Sequence, residues 1–593
     1  MEKQGAPWLS LRVSEPQSTS LKFCDGGARG IQAWLDSLPK ANVGETARQL
    51  YQGLVEINHY RTSVDQRLRM LEQIRPEVYA VGKLLERYFL NQSVVLEERP
   101  RKVANLCQAL HSHLAVGYKM VVVELITQSS KERDALLPIA MQRACHSLRM
   151  QLLRACQLYS PVPEGVWLEL HQLYECACLF GLQQLSVPEP LLQAGATLST
   201  ADTYIGALLL GCARTNQMRQ TAIAQLYGAV DVLGAWVNLQ SADQPSSLFA
   251  FSLRADGPPR FRSMYQSAQL AGLTGLDTHA LVHAIRNYLA LPADSRQASK
   301  LSIGRDFPAD ILRHVEAAWG TLAERSFQRT PGQGTLTVCV GLTALHYYLF
   351  DERPFAQLLK TPKAKTASSF ELIDDKDVWG NAFDVKTESN GLNAGQSIEF
   401  GSGDVEAAAT TYPLHEVTIV NHSPGGYCLA WGAEVPAQFQ TGELIGIRGS
   451  LTQKWSVAVV CWIRLVRGGG TQIGVELLTP NACPCAVQLL RKGEQDSQFM
   501  RGLLLPELAV ISRPASMIVP RIPFQEGNKV KVAVEGEEYR ALLTSRLSNT
   551  ASFSQFEYRR LDVEQAASGT PVTAPASVFA SGEEDFDSLW KSL

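Results

Sequence analysis

The chain of 593 residues is too long for one core of ordinary size, and its length implies roughly three to five domains. Its composition, 45% hydrophobic and 19% charged, is that of a globular protein, and a formal charge of -3 argues against a chain-wide nucleic-acid surface. Residues 1–10 lack a basic region followed by an apolar run, and no apolar stretch reaches the roughly 18 residues of a membrane span, 115–126 being interrupted by Lys119 and Glu124, so a cytoplasmic location is expected.

Residues 1–40 form an N-terminal segment ahead of a helical region at 41–240. From Val43 apolar residues recur at three- and four-residue intervals: Leu50, Leu54 and Ile57, then Val64, Leu68 and Leu71, then Val78, Val81 and Leu85. Charged residues fill the intervening faces, which predicts amphipathic helices packed on neighbours. Proline disfavours helix in the residue before it, so breaks are expected at Pro76, Pro100 and Pro138. Residues 167–174, followed by Ala177 and Gly181, resemble part of a tetratricopeptide helix, and 201–213 reads as another small-residue-rich helix. No fixed repeat of about 34 residues aligns through the region, so an irregular helical domain stands beside a repeat array as a reading.

Arg61, Arg67, Arg69, Arg75, Arg87, Arg99, Arg101 and Lys102 make the early helices basic. Glutamates are mixed among them and no aromatic platform accompanies them, so the pattern marks solvated helix faces rather than a nucleic-acid surface. Docking of a protein partner is the expected use of such an array. The 12 cysteines are scattered, as free thiols would be. Cys176 with Cys178 and Cys483 with Cys485 are spaced too closely for zinc pairs, and His279 and His283 lack the glutamate of a metalloprotease motif, so no metal site is expected.

Character changes near Gln240. Residues 241–324 read as a connector, with one short strand at 248–253, followed by helices over 278–291 and 310–324. Arg325 and Arg329 then precede a Thr-Pro-Gly-Gln-Gly turn and a run of strand formers at 336–345. Two guanidinium forks four residues apart suit a phosphate or the Hoogsteen edge of guanine. Further on, Asn421, His422, Ser423, Pro424, Gly425 and Gly426 separate the alternating apolar runs 416–420 and 427–431, which predicts a tight turn with polar atoms at its mouth.

Arg325-x-x-x-Arg329, a strand, and then Asn421-x-Ser423-x-x-Gly426 resembles the paired signature of PilZ domains, small antiparallel β-barrels that bind cyclic di-GMP. Runs 444–448, 455–465 and 472–477 resemble later barrel strands, with Trp462 and Gly474-Val475 where the family often has a tryptophan and a glycine-apolar pair. The resemblance covers residues 325–490. It implies that Arg325, Arg329, Asn421, Ser423 and Gly426 bind the ligand: the arginines on phosphate and guanine, Asn421 and Ser423 through amide and hydroxyl bonds, and Gly426 by letting the backbone approach. The family places its motifs closer together. The excess here, about 351–413, suits a hairpin insertion, whose closure entropy grows slowly with length. The alternative is that the arginines merely end a helix and the turn is a plain hairpin.

Residues 514–561 alternate over 529–534, 539–547 and 553–558, with Gly536 as a turn candidate. Three strands alone are marginal, so this strand-rich unit is expected to pack on the barrel or the helices. Residues 562–593 read as a flexible tail. Within it Phe586, Leu589, Trp590 and Leu593 lie at helical spacing behind an acidic start, a pattern that suits docking in a groove, although a disordered end explains it as well.

The expected fold is thus α+β and multidomain: a helical N-terminal half, an antiparallel PilZ-like barrel with a long insertion, and a further strand-rich unit. No P-loop and no cyclase, phosphodiesterase or hydrolase signature is present, so the expectation is a signalling adaptor that binds cyclic di-GMP and a protein partner, not an enzyme and without a cofactor. Among PilZ receptors the large helical region is most similar to the FimW-like group linked to surface attachment and type IV pili. That similarity implies recruitment to a cell-pole or envelope assembly. The competing reading is a ligand-independent helical scaffold with a degenerate barrel.

Overall fold

A computed structural model describes residues 9–127, 131–192, 195–304, 306–321, 328–359, 412–432, 435–436, 439–450, 453–468, 470–491, 496–507 and 513–561. The chain divides into two compact units, Met1–Glu324 with Leu465–Arg467, and Arg325–Arg464 with Gly468–Leu593.

The first unit begins with helices α1 (Ala28–Ser37), α2 (Val43–His59), α3 (Val64–Leu85), α4 (Glu98–Ile126), α5 (Lys131–Gln157), α6 (Val166–Leu179), α7 (Thr200–Cys212) and α8 (Gln220–Gly234), with the two-residue strands β1 (Val187–Pro188) and β2 (Thr197–Leu198) paired between α6 and α7. Side chains fix several starts. Asn42 accepts from the Glu45 amide ahead of α2, and Ser199 and Asp202 form a reciprocal capping box on α7. These helices run from 10 to 29 residues.

Two of the three expected breaks are absent. α3 continues through Pro76 and α5 through Pro138, while Pro100 sits in the first turn of α4, where its missing N–H costs nothing. An interior proline costs about 3 kcal/mol. In α3 that cost is offset by burial on both sides of Pro76, with Leu68, Leu71, Ile74, Val78 and Val81 all withdrawn from solvent.

The expectation of solvated basic faces holds for Arg61, Arg69, Arg87, Arg99, Arg101 and Lys102, which are exposed, and fails at Arg67 and Arg75, which are 2% and 1% exposed. Arg67 donates to the carbonyls of Ile57 and Tyr60, both at 2.6 Å, and so satisfies the orphan acceptors at the end of α2. Arg75 pairs with Glu189 at 2.7 Å, and Arg143 reaches the same carboxylate at 3.2 Å. Burial alone would raise the Glu189 carboxyl, but the two arginines hold it below its ordinary value. α4 is long and apolar enough to cross a membrane, yet Cys107, Leu110, Leu114, Tyr118, Val121 and Leu125 are buried against its neighbours. Its Lys119, also buried, is paired with Glu169 at 2.7 Å.

The expected connector is more ordered than its composition suggests. Strands β3 (Asn238–Ser241), β4 (Phe249–Phe251), β5 (Arg260–Phe261) and β6 (Thr274–Asp277) form a sheet in the order β3-β6-β4-β5, where one strand was expected. After the short α9 (Ser267–Leu270) come α10 (His279–Ala290) and α11 (Ala309–Trp319). Trp319 is fully buried and donates from Nε1 to the Leu209 carbonyl at 3.1 Å, which seats α11 on α7.

The second unit opens with β7 (Thr330–Pro331), β8 (Thr335–Val340), α12 (Leu342–Leu349) and α13 (Phe355–Leu358), then β9 (His415–Ser423), β10 (Gly426–Trp431), β11 (Leu444–Arg448), β12 (Ser456–Leu465) and β13 (Thr471–Thr479). Six of these strands run β10-β13-β12-β11-β8-β9, and the β9–β10 pairing closes the ring. β7 and β8 share one edge of β9, at Asn421–His422 and at His415–Thr418 respectively. The run 336–345 is not one strand. It stops at Val340, Gly341 adopts φ +91°, and α12 follows.

A second barrel is built from β14 (Cys483–Leu489), β15 (Met500–Leu505), β16 (Ser516–Pro520), β17 (Lys529–Val534), β18 (Glu537–Asn549) and β19 (Phe553–Arg560), closed in the order β14-β15-β16-β19-β18-β17. Closure leaves no marginal three-stranded edge to protect. β14, which the sequence reading set at the end of the first barrel, pairs here instead with β15 and β17. One apolar cluster joins Cys339, Leu345 and Trp455 of the first barrel region to Leu503, Ile518 and Phe553 of the second.

Candidate functional site

The hairpin β9–β10 turns at Pro424 and Gly425, with Ser423 opposite Gly426, His422 opposite Tyr427 and Asn421 opposite Cys428. Its two-residue turn follows from proline and glycine standing next to each other. On its other edge β10 pairs with β13, placing Gly426 opposite Glu476 and Cys428 opposite Gly474. A Cβ on Gly426 would lie 2.0 Å from the Val475 carbonyl oxygen, so only glycine lets the hairpin close on β13. The demand for glycine here comes from the protein's own backbone.

Arg329 reaches this hairpin across 92 residues of sequence, donating from Nη1 to Asn421 Oδ1 at 3.0 Å. The contact is positioned by β7, where Thr330 pairs with His422 and Pro331 with Asn421. Arg329 and Asn421 are therefore together on the outer face of the barrel. Ser423 stands at the end of the same strand, its hydroxyl 3.5 Å from the Gly426 carbonyl. Arg325 lies outside the described residues, as do 360–411 of the expected insertion and Phe586, Leu589, Trp590 and Leu593 of the tail.

Residues paired across neighbouring strands present their side chains on one face. Asn421, Cys428 and Gly474 thus form a row, and the row ends on Trp462. A Cβ on Gly474 would fall 1.9 Å from Trp462 Nε1, so the missing side chain makes the seat for the indole. Three inter-strand steps of about 4.8 Å give the row a span of about 14 Å. Arg464, two residues along from Trp462, donates to Gln472 Oε1 at 2.5 Å and holds its guanidinium 5.8 Å from the Trp462 ring centre. Burial pushes the Cys428 thiol up, with Arg329 and Arg464 pulling against it. Cys461, beside Glu476, is pushed up to about 12, chiefly by burial. Both thiols are protonated and unreactive at neutral pH.

The face thus combines one guanidinium already aligned by an amide, a second guanidinium, and an aromatic plane. Arg464 escaped the sequence reading. Its signal was the strand alternation that sets Trp462 and Arg464, and Gln472, Gly474 and Glu476, in the outward phase.

Comparison with known proteins accounts for nearly the whole chain. Residues 29–245 match the N-terminal domain of the cyclic-di-GMP receptor FimW, 248–484 match its middle PilZ domain, and 485–561 match its C-terminal beta-barrel domain. The chain is 50% identical to the cyclic-di-GMP receptor FimW of Pseudomonas aeruginosa strain PAO1 over an alignment of 609 residues that covers 100% of both.

Proposed function

The chain belongs to the FimW family of cyclic-di-GMP receptors, and from that premise we propose that it binds cyclic di-GMP on the outer face of the first barrel, around Arg329 and Asn421. The observation that carries the reading is the Arg329–Asn421 bond, which brings together the two halves of a signature separated by a long insertion. Cyclic di-GMP offers two phosphates and two guanines. Arg329 and Arg325 neutralise phosphate and hold guanine acceptors through charge-assisted bonds, with Asn421 and Ser423 adding neutral ones. Trp462 supplies a flat apolar surface for a base at the far end of the row.

Binding biases the segment that leads into β7, because a ligand shifts an arrangement only by its different affinity for the alternatives. The output of that shift is a changed protein contact, through the helical region or the C-terminal peptide, in surface attachment and type IV pilus control. The protein acts as an adaptor and not as an enzyme. Calorimetry with cyclic di-GMP beside GTP and cyclic AMP tests the reading. Selective, saturable binding of the cyclic dinucleotide is expected, and equal or absent response to all three would leave a ligand-independent scaffold.

A further inference from the structure

The outer face of the first barrel carries two side-chain pairs of one kind. Arg329 donates to Asn421 Oδ1 at 3.0 Å, and Arg464 donates from Nη2 to Gln472 Oε1 at 2.5 Å. A guanidinium has no acceptor, so the carboxamide atom that faces it is the oxygen. The NH2 group of each amide is thereby turned away from its arginine. Each pair consequently presents donors outward: the remaining guanidinium N–H groups and the two N–H bonds of the amide.

The pairs stand on one face and close together. Gln472 lies opposite Ala430, two residues along β10 from the Cys428 that faces Asn421. Two inter-strand steps and two residues separate Asn421 from Gln472, about 12 Å. Arg329 enters from the β7–β9 side and Arg464 from β12, and both act electrostatically on the Cys428 thiol between them. Glu476, the carboxylate two residues beyond Gly474 on β13, is paired with Arg513 at 2.6 Å, so its charge is already answered. Trp462 lies beside the second pair, its ring centre 5.8 Å from the Arg464 guanidinium.

The Hoogsteen edge of guanine offers two acceptors, N7 and O6, whereas adenine puts an N6 donor where guanine has O6. A pair that presents only donors there is matched to guanine and opposed to adenine. Resting on the reading of this face as the cyclic di-GMP site, we infer that Arg464 and Gln472 form a second base-reading head, which takes one guanine by N7 and O6 beside Trp462. Arg329 and Asn421 serve the other half of the dinucleotide. Arg464 is then a specificity-determining residue, and guanine is required in both halves of the ligand.

Displacement of a fluorescent cyclic di-GMP from the full chain measures affinity for cyclic di-GMP and for 3′,3′-cyclic GMP–AMP, which keeps both phosphates and one guanine. The parent chain should prefer cyclic di-GMP by about tenfold or more. Arg464→Ala should weaken cyclic di-GMP by a similar factor while moving the mixed dinucleotide by less than about threefold, so that the preference collapses. Gln472→Glu puts an acceptor where the amide donor stood, and should narrow or reverse the preference. Both positions are on the surface of the barrel, and a thermal melt matching that of the parent chain shows that the fold is kept. If Arg329→Ala loses cyclic di-GMP but Arg464→Ala binds it within about twofold of the parent, the nucleotide site stands and the second head is refuted. Equal weakening of both dinucleotides by Arg464→Ala would also overturn the inference, since it marks a phosphate contact rather than the reading of a base. Cyclic di-GMP affinity unmoved by either arginine variant would refute the site and the second head together.

Discussion

Replacing Arg329 with alanine separates what this side chain does for the ligand from what it does for the fold. In the protein alone it donates to Asn421 Oδ1, in an exposed contact at 3.0 Å. An exposed bond of this kind contributes at most about 1 kcal/mol, so Arg329→Ala should move the melting midpoint by only a few degrees. In the proposed site the same guanidinium would make charge-assisted bonds to cyclic di-GMP. Loss of one costs about 1.5–3 kcal/mol, or roughly 10- to 150-fold in Kd. Arg329→Lys should recover part of the loss, because it keeps the charge but not the planar fork. Isothermal calorimetry beside a thermal melt reads both quantities. An alanine variant whose Kd stays within about twofold of the parent, with an unchanged melt, refutes the assignment of this face as the nucleotide site.

Three further outcomes follow from the geometry. Gly426→Ala must push a Cβ into the Val475 carbonyl 2.0 Å away, so a loss of about 2 kcal/mol or more is expected in chemical denaturation, and an unchanged midpoint would contradict the packing described. Glu189→Gln leaves Arg75 buried with no counter-charge, while Arg143 keeps Glu72, and should cost about 3–5 kcal/mol in urea titration of the helical signal; a loss below about 1 kcal/mol would show that the Arg75–Glu189 pair is not desolvated. His111, His171 and His346 are brought by burial to about 3, about 4 and about 3, below the unfolded value of 6.5. Their folded-state pKa is depressed, so their contribution is complete above about pH 6.5 and is lost as pH falls toward the folded values, and Glu189 adds a second loss below the ordinary carboxylate range. Melting midpoints should therefore fall steadily from about pH 7 to pH 4, and a flat profile would rule this out.

The hairpin at Asn421–Gly426 was legible because its residues are determined locally: proline and glycine make the turn, and the alternating runs on either side make the strands. The meeting of Arg329 with Asn421 was legible only through a resemblance, since nothing in 92 residues of spacing foretells it. Burial of Arg67 and Arg75 was not legible at all. Their partners are two backbone carbonyls and a glutamate 114 residues away, so the same basic letters that mark solvated faces elsewhere here mark a core. Helix through Pro76 and Pro138 likewise depends on packing from neighbouring helices, which overrides a local preference. The strand formers at 336–345 misled in the opposite way. Gly341 ends the ladder, and the same apolar residues continue as α12, whose Leu345 and Tyr348 are buried. Short apolar strands such as Cys483–Leu489 carry no sign of which barrel they join, since register is settled by partners far along the chain.

The apolar cluster shared by Leu345 and Trp455 with Leu503, Ile518 and Phe553 makes the two barrels a single cooperative body rather than two modules on a string. Severing them would leave each half with an oily wound where its core had been. A ligand that tightens the first barrel therefore also protects the second by mass action, and proteolytic resistance gained at one end of this body is gained at the other. Neither barrel is free to be exchanged for a foreign domain in a descendant of this chain without repacking the same few side chains, which binds their inheritance together as firmly as their folding.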